Sequence, residues 1–376
     1  MTSTTAHHDA IVVGAGIVGA ACADALARDG LRVLVLEAAT PASGTTAAGM
    51  GHLVVLDDSP AQLALTALST ALWRALGAEL PPAVQHDSCG TVWVATNESE
   101  LDVVRAKHRL FTEHAIASEV LDPRELAGLE PNLRPDLAGG LLVPGDGVLN
   151  PPHATHWLLE RARAVGATVR QGERADRISA NTVLCGDEAY GADIVVIAAG
   201  AETPQLIPEL PIVPRKGYLA LTDRYPGFVR HQLVELGYLA SASASAASVA
   251  FNVQPRATGE VIVGSSRELV GWDASLDERM LARMLARASE FIPSLAAMQL
   301  VRTWCGFRPA TPDKLPLIGP WPSIPGVWIA AGHEGLGITT SLATGQIIAD
   351  LVAGREPGID AGPFAPGRIL AGTAER

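Results

Sequence analysis

The chain has 376 residues, 48% of them hydrophobic and 18% charged, with a formal net charge of −12; that length holds two packed units or one large elaborated domain. No basic stripe interrupts the acidic balance, which excludes nucleic acid from the expected partners. The cysteines Cys22, Cys89, Cys185 and Cys305 are scattered with no CxxC pair, so no metal site is expected within the chain, and isolated thiols suit a cytoplasmic protein.

The opening MTSTTAHHDAIVV lacks the basic region and cleavage site of a signal peptide. The apolar stretch Ile11–Ala27 is broken by Gly14, Gly16, Gly19 and Asp24, so no transmembrane segment is expected. Residues 9–15 predict a buried strand. Gly16–Asp29 predicts a helix stopped by Gly30. Residues 31–37, LRVLVLE, are a second apolar run ending in a carboxylate. Together they make one βαβ unit. Within it, Gly14 permits a tight turn, Gly16 lets backbone approach a pyrophosphate, and Gly19 lets the helix pack close. The helix N-terminus offers free N–H groups and a positive dipole end. Glu37, about twenty residues on, is placed to accept hydrogen bonds from both ribose hydroxyls. The motif alone does not separate FAD from NAD. The adjoining segment favours FAD: the small-residue loop Ala42–Leu53 replaces the regular βαβ repeats of an NAD enzyme.

Further along, residues 59–80 predict a helix ended by Pro81-Pro82. Gly90–Ala95 reads as a strand, Glu100–His114 and Pro123–Gly128 as helices, 131–152 as a Gly/Pro-rich loop, and 153–165 as a helix. Strands come next at Thr168–Gln171, Arg174–Ile178 and Asp193–Ala198. From about 211 to 270 the pattern is β-rich, with strands at Gly217–Thr222, Val249–Val253 and Val261–Gly264. The Ala/Ser-rich run Leu239–Phe251 reads as strand and turn. Leu276–Phe291 is an amphipathic helix. The chain closes with strand Val327–Ala331, a glycine loop and helix Thr340–Ala353.

These features together resemble the D-amino-acid-oxidase-like FAD oxidoreductases, nearest to D-hydroxyproline dehydrogenase flavoprotein subunits and glycine oxidases. The resemblance rests on the βαβ unit and on AAGMGH (47–52), PGDGVLNPP (144–152), DIVVIAAG (193–200), QPRATGEVIVGSSR (254–267), WCGFRPATPDKLPLIG (304–319) and GHEGLGITT (332–340). It implies an α/β (α+β) fold with a Rossmann-like FAD-binding domain from 1–82, 148–208 and 306–376. A discontinuous β-rich substrate-binding domain would comprise 83–147 and 209–305. The cofactor would be held by Gly14, Gly16, Ile17, Val18, Gly19, Glu37 and Ala38 at the adenosine end. Thr45, Thr46, Ala47, Gly49, Met50, Ala175, Ala199 and Gly200 would line its middle. Gly306, Arg308, His333, Gly335, Leu336, Gly337, Ile338 and Thr339 would surround the flavin. Some sarcosine oxidases attach flavin through a cysteine just before the T-P-D segment. That place is Gly306 here and Cys305 is one position off, so the FAD is expected to be non-covalent.

Arg308, between Phe307 and Pro309, needs a carboxylate partner, either internal, such as Asp313, or a substrate. In the glycine oxidase branch the matching arginine holds the substrate carboxylate, and a planar guanidinium suits that task. His52 and Asn252 are further substrate-site candidates. Asn252 falls where glycine oxidases place a tyrosine, a departure that argues against copying glycine specificity. His333 is expected beside the flavin as a wall. The implied reaction carries a hydride from the Cα of an amino or imino acid to flavin N5, leaving an imine. The alternatives left open are a glycine/sarcosine-type oxidase using oxygen, and a non-catalytic flavin electron-transfer subunit. The resemblance also implies heteromeric flavin and 2Fe–2S partner subunits.

Overall fold

A computed structural model describes residues 7–237 and 247–371. Two eight-stranded sheets organise it. The first runs Leu317–Pro320, Val327–Ala331, Glu188–Ile197, His8–Val13, Val33–Glu37 and Thr168–Gln171, with Thr182–Cys185 and Arg177–Ser179 branching from Glu188–Ile197. From Val327–Ala331 to Thr168–Gln171 its pairings are all parallel. The runs AIVV, VLVL and IVVI supply residues buried on both faces, as a parallel sheet covered on both sides requires. Helices Ile17–Arg28, Pro151–Ala164 and Gly337–Val352 pack together on one face.

The segment Glu334–Val352 is apolar and long enough to cross a membrane by composition. Its apolarity is used inside the protein: it packs on Ile17–Arg28 and Pro60–Leu76. A Cβ on Gly345 would lie 2.5 Å from the carbonyl oxygen of Ala21, so the two helices touch through backbone.

The second sheet is mixed: Leu300–Ala310, Val213–Arg224, Glu260–Arg267, Ser248–Pro255, Gln232–Glu235, Thr91–Ala95, Gly139–Val143 and Glu119–Leu121. Helix Glu278–Phe291 covers one face. Its Met280, Met284, Ala288 and Phe291 fall at helical spacing and are buried against that sheet, worth roughly 1.5–3 kcal/mol for each large side chain. Asp277 caps the helix by accepting from the backbone N–H groups of Arg279 and Met280. The sheet's other face looks toward a long cleft between the two sheets.

Local structure departs from the sequence reading in a few places. The expected loop 131–152 contains strands Gly139–Val143 and Gly147–Val148. The glycines that suggested a loop are there for close approach: a Cβ on Gly140 would lie 2.6 Å from the carbonyl oxygen of Trp93. The strand expected at 174–178 is Arg177–Ser179, and the strand expected from Asp193 begins at Glu188, extended by antiparallel pairing with Thr182–Cys185. Helix Pro60–Leu76 ends earlier than expected, running on as a 3₁₀ turn Gly77–Glu79. Of the run Leu239–Phe251, residues 239–246 lie outside the described residues, and its end belongs to strand Ser248–Pro255.

Candidate active site

The cleft, of about 650 Å³, runs from Glu37 and Ala38, past Gly14 and the 42–50 loop, to Arg308, His333 and Ile338. At its first end, Gly14 has φ +104, and a Cβ there would lie 2.6 Å from the carbonyl oxygen of Ala198. A Cβ on Gly19 would be 1.9 Å from the Gly14 carbonyl oxygen. Gly19 therefore lies behind the turn and lets the helix approach the strand, while Gly14, Gly16, Ile17 and Val18 face the cleft. Glu37 is held by both oxygens: Oε2 accepts from the Ala15 N–H at 2.7 Å and Oε1 from the Ala39 N–H at 2.8 Å. Each oxygen keeps a lone pair for a ribose hydroxyl. Helix Ile17–Arg28 has no side-chain cap from its own N-cap residue, Gly16. Instead the Ile17 N–H donates to Thr46 Oγ1 at 3.0 Å, which leaves the hydroxyl hydrogen of Thr46 to donate to an anionic oxygen.

The 42–53 loop is fixed from the second sheet. Thr45 donates to the Phe307 carbonyl at 2.7 Å, Trp304 Nε1 to the Ala48 carbonyl at 3.2 Å, and Gln254 to the Met50 carbonyl at 2.9 Å. Thr45, Thr46, Ala47, Gly49 and Met50 line the cleft, with Ala175, Ala199 and Gly200 opposite. A backbone-lined, elongated cleft with a carboxylate at one end and a capped helix terminus beside it fits an extended dinucleotide. Alternation along Leu300–Ala310 turns Trp304, Gly306 and Arg308 toward the loop. Cys305 faces the other way, packing against the helix-covered side of the sheet, and its thiol donates to the Ala274 carbonyl.

At the far end the charges concentrate. Arg308 Nη1 donates to the Ser266 carbonyl at 2.9 Å, and its guanidinium lies over Gly217, where a Cβ would come within 2.2 Å of Nη1. Gly217 is what makes room for it. Asp313 is not the internal partner of Arg308: it pairs with Arg368 at 2.7 Å. Glu334, at φ 49, receives the Gly335 N–H at 2.8 Å and pairs with Arg215 at 3.4 Å. Burial pushes its carboxyl up, but the guanidinia of Arg308, Arg267 and Arg215 and the Gly335 N–H outweigh that, so it stays ionised.

The two histidines are neutral. Burial lowers His333 to about 3. Thr344 donates its hydroxyl hydrogen to the Thr340 carbonyl, so the 3.0 Å contact requires His333 Nε2 to donate to Thr344. Burial lowers His52 to about 4. Its Nε2 meets the Gly335 carbonyl at 3.3 Å and must donate to it. That leaves His52 Nδ1 a bare acceptor, buried and with no hydrogen-bond partner among the described residues. Asn252 Oδ1 is in the same condition. Both side chains line the cleft, and both also line a smaller cavity that opens from it.

Besides Gly19, two expected cofactor residues lie off the cleft. Leu336 lines the smaller cavity instead of the cleft. Thr339 is buried, donating to the His52 carbonyl at 2.9 Å and so bracing the loop against helix Gly337–Val352. The sequence reading missed Arg215, Arg267 and Glu334. Arg215 lies directly opposite Arg308 across the antiparallel pair, a register no spacing announces. Glu334 had a visible signal: a lone carboxylate inside the glycine loop GHEGLG.

Residues 9–351 match the family model described as FAD dependent oxidoreductase, DAO. The chain belongs to this family. Within the DAO family it is 29% identical to a glycine oxidase of Pseudomonas aeruginosa, over 96% of this chain and 99% of that one. It is 31% identical to a D-amino acid dehydrogenase of Xanthobacter autotrophicus, over 81% of this chain and 73% of the other. The crystal structure of glycine oxidase from Geobacillus kaustophilus superposes with a TM-score of 0.87 at 27% identity, covering 97% and 99% of the two chains. This DAO-family chain is thus an FAD-dependent oxidoreductase acting on amino acids, with a Rossmann-like first sheet and a β-rich second one.

Proposed function

We propose that this DAO-family enzyme is a dehydrogenase of the D-proline/D-hydroxyproline type. The observation that carries this reading is the smaller cavity beyond Asn252, lined by Val54, Trp93, Gln232 and Val234. A cyclic imino acid has ring carbons to place there; glycine or sarcosine has none. Segments 1–82, 148–208 and 306–376 hold the cofactor in this reading, and 83–147 and 209–305 enclose the substrate.

Two-electron acceptance is the chemistry a bound flavin supplies here. The chain's own residues do the rest. Arg308, held by the Ser266 carbonyl and by the shape of Gly217, presents a planar fork to the substrate carboxylate. His52 Nδ1 and Asn252 Oδ1 accept the two N–H hydrogens of the incoming secondary ammonium; after one proton leaves to solvent, the single N–H that remains is held by one of them. His52 is too weak a base to stay protonated at neutral pH, so it orients the neutral amine, whose lone pair assists departure of the Cα hydride. His333 walls the site and keeps water away from it. The electrons pass to an acceptor other than oxygen, such as partner flavin and 2Fe–2S subunits, in a cytoplasmic setting that suits four free thiols.

A second reading, a glycine- or sarcosine-type oxidase using oxygen, is favoured by the likeness to glycine oxidases. Anaerobic bleaching of the flavin across D- and L-amino and imino acids separates the two. The proposal expects D-proline analogues to bleach it, with little peroxide released in air. Bleaching by glycine or sarcosine alone, with peroxide, overturns it. If Arg308→Ala left bleaching unchanged, the chain would instead be an electron carrier with a vestigial pocket.

A further inference from the structure

The smaller cavity, of about 50 Å³, has room for more than one water-sized group. It shares His52, Asn252, His333, Glu334 and Gly335 with the flavin end of the cleft and extends away from them to Asp58 and Lys314, which are exposed at its rim. Strand register explains its far wall. Val234 lies opposite Trp93 on one side and opposite Asn252 on the other. Gln232, two residues before Val234, shares that face and is the diagonal neighbour of Trp93. Trp93, Gln232, Val234 and Asn252 therefore form one patch of the second sheet.

Two polar atoms of this patch have no part in holding the α-carboxylate or the substrate nitrogen. Trp93 is 2% exposed and Gln232 is 1% exposed. Trp93 Nε1 and Gln232 Oε1 are both buried, and neither has a hydrogen-bond partner among the described residues. Buried polar atoms are paired as a rule, and each exception calls for a reason. The first atom can only donate and the second can only accept. They are complementary, yet they do not meet each other. A group that both accepts and donates, placed between them, satisfies both.

We infer that this cavity is a hydroxyl subsite: Trp93 Nε1–H donates to, and Gln232 Oε1 accepts from, a hydroxyl carried on the substrate away from its α-carbon. The inference deepens the proposed imino-acid dehydrogenase and rests on it. It makes Trp93 and Gln232 the residues that select a hydroxylated ring over a plain one. A site built to bond a hydroxyl rejects the analogue that lacks it, because its own buried donor and acceptor stay unpaired.

The test is the anaerobic reductive half-reaction of the flavin-loaded enzyme with cis-4-hydroxy-D-proline and with D-proline, each giving a bleaching rate and a dissociation constant. Wild type is expected to prefer the hydroxylated compound by at least about tenfold in rate over dissociation constant. Gln232→Met, which removes the polar atom at nearly unchanged bulk, and Trp93→Phe, which removes it together with part of the ring, are each expected to lower that preference by about tenfold or more. The flavin spectrum and Tm of each variant report its folding, and if Trp93→Phe does not fold, Gln232→Met decides alone. A wild-type preference near one, or an unchanged preference in the folded variants, overturns the hydroxyl subsite. Failure of both compounds to bleach the wild-type flavin overturns instead the imino-acid reading on which it rests.

Discussion

At the adenosine end of the cleft, the shaping groups come almost entirely from Asp9 to Glu37, and they are mostly backbone. Gly14 and Gly19 clear space, and the Ala15 and Ala39 amides hold Glu37. At the substrate end, Arg308, Arg215, Arg267, Asn252, His52 and Glu334 come from five or more separate segments and are all side chains. The first end is rigid through sterics; the second is poised through electrostatics and unmet hydrogen bonds. A substitution should therefore act by geometry at one end and by charge or polarity at the other.

The largest effect is expected from Gly19→Val. Its Cβ would fall 1.9 Å from the Gly14 carbonyl oxygen, a clash of backbone with no flexible partner to yield. The variant should purify colourless or fail to fold, as absorbance near the flavin bands and a thermal melt would show. A yellow, wild-type-like protein would break the contrast between the two ends.

Next in size is Arg308→Met. It should retain flavin and lose substrate affinity, with kcat/KM down by about 2–5 kcal/mol, the range for truncating one partner of a buried charged pair. Gly217→Ala sharpens the point. It adds one methyl group within 2.2 Å of Arg308 Nη1, so it should show a smaller loss of the same kind with the flavin spectrum intact. Equal kcat/KM in Gly217→Ala and wild type would show that the guanidinium's seat over Gly217 is immaterial.

The smallest effect concerns pH. His333 has a folded-state value of about 3 against an ordinary 6.5. The unfolded chain thus takes up the proton first as pH falls. The contribution of this residue to stability is complete above 6.5 and is lost as pH falls toward 3, amounting to about 2 kcal/mol by pH 5. His333→Asn should therefore lose less stability than wild type between pH 7 and pH 5, measured by denaturant unfolding. Asp146, raised by burial to about 7, acts with the opposite sign over part of that window. It is present in both proteins, so the difference between them isolates His333. Parallel pH profiles would mean that His333 does not remain neutral in the fold.

These contrasts also explain what could be read from the chain. The βαβ unit was legible because its signals are local: an apolar run, a glycine turn and a carboxylate all lie within a short stretch whose backbone conformation they dictate. The helix Glu278–Phe291 was legible for the same reason, its buried face repeating at helical spacing. Strands Gly139–Val143 and Gly147–Val148 were hidden because their glycines answer to a neighbouring strand, which only pairing brings near. Arg308 could be singled out by its apolar neighbours. The identity of its internal partner could not: the Ser266 carbonyl and Gly217 reach it through strands distant in sequence, and Asp313, near in sequence, turns to Arg368.

By itself, then, the sequence determined the dinucleotide end, the helices and the one arginine most suited to a carboxylate, since each depends on neighbours a few residues away. The tertiary structure alone decided that Arg215 faces Arg308, that Glu334 lies among three guanidinia, and that Trp93, Gln232 and Asn252 share one face of a sheet. Strand order and register set those meetings, and they follow from how two sheets bury their apolar faces together, which no local spacing records.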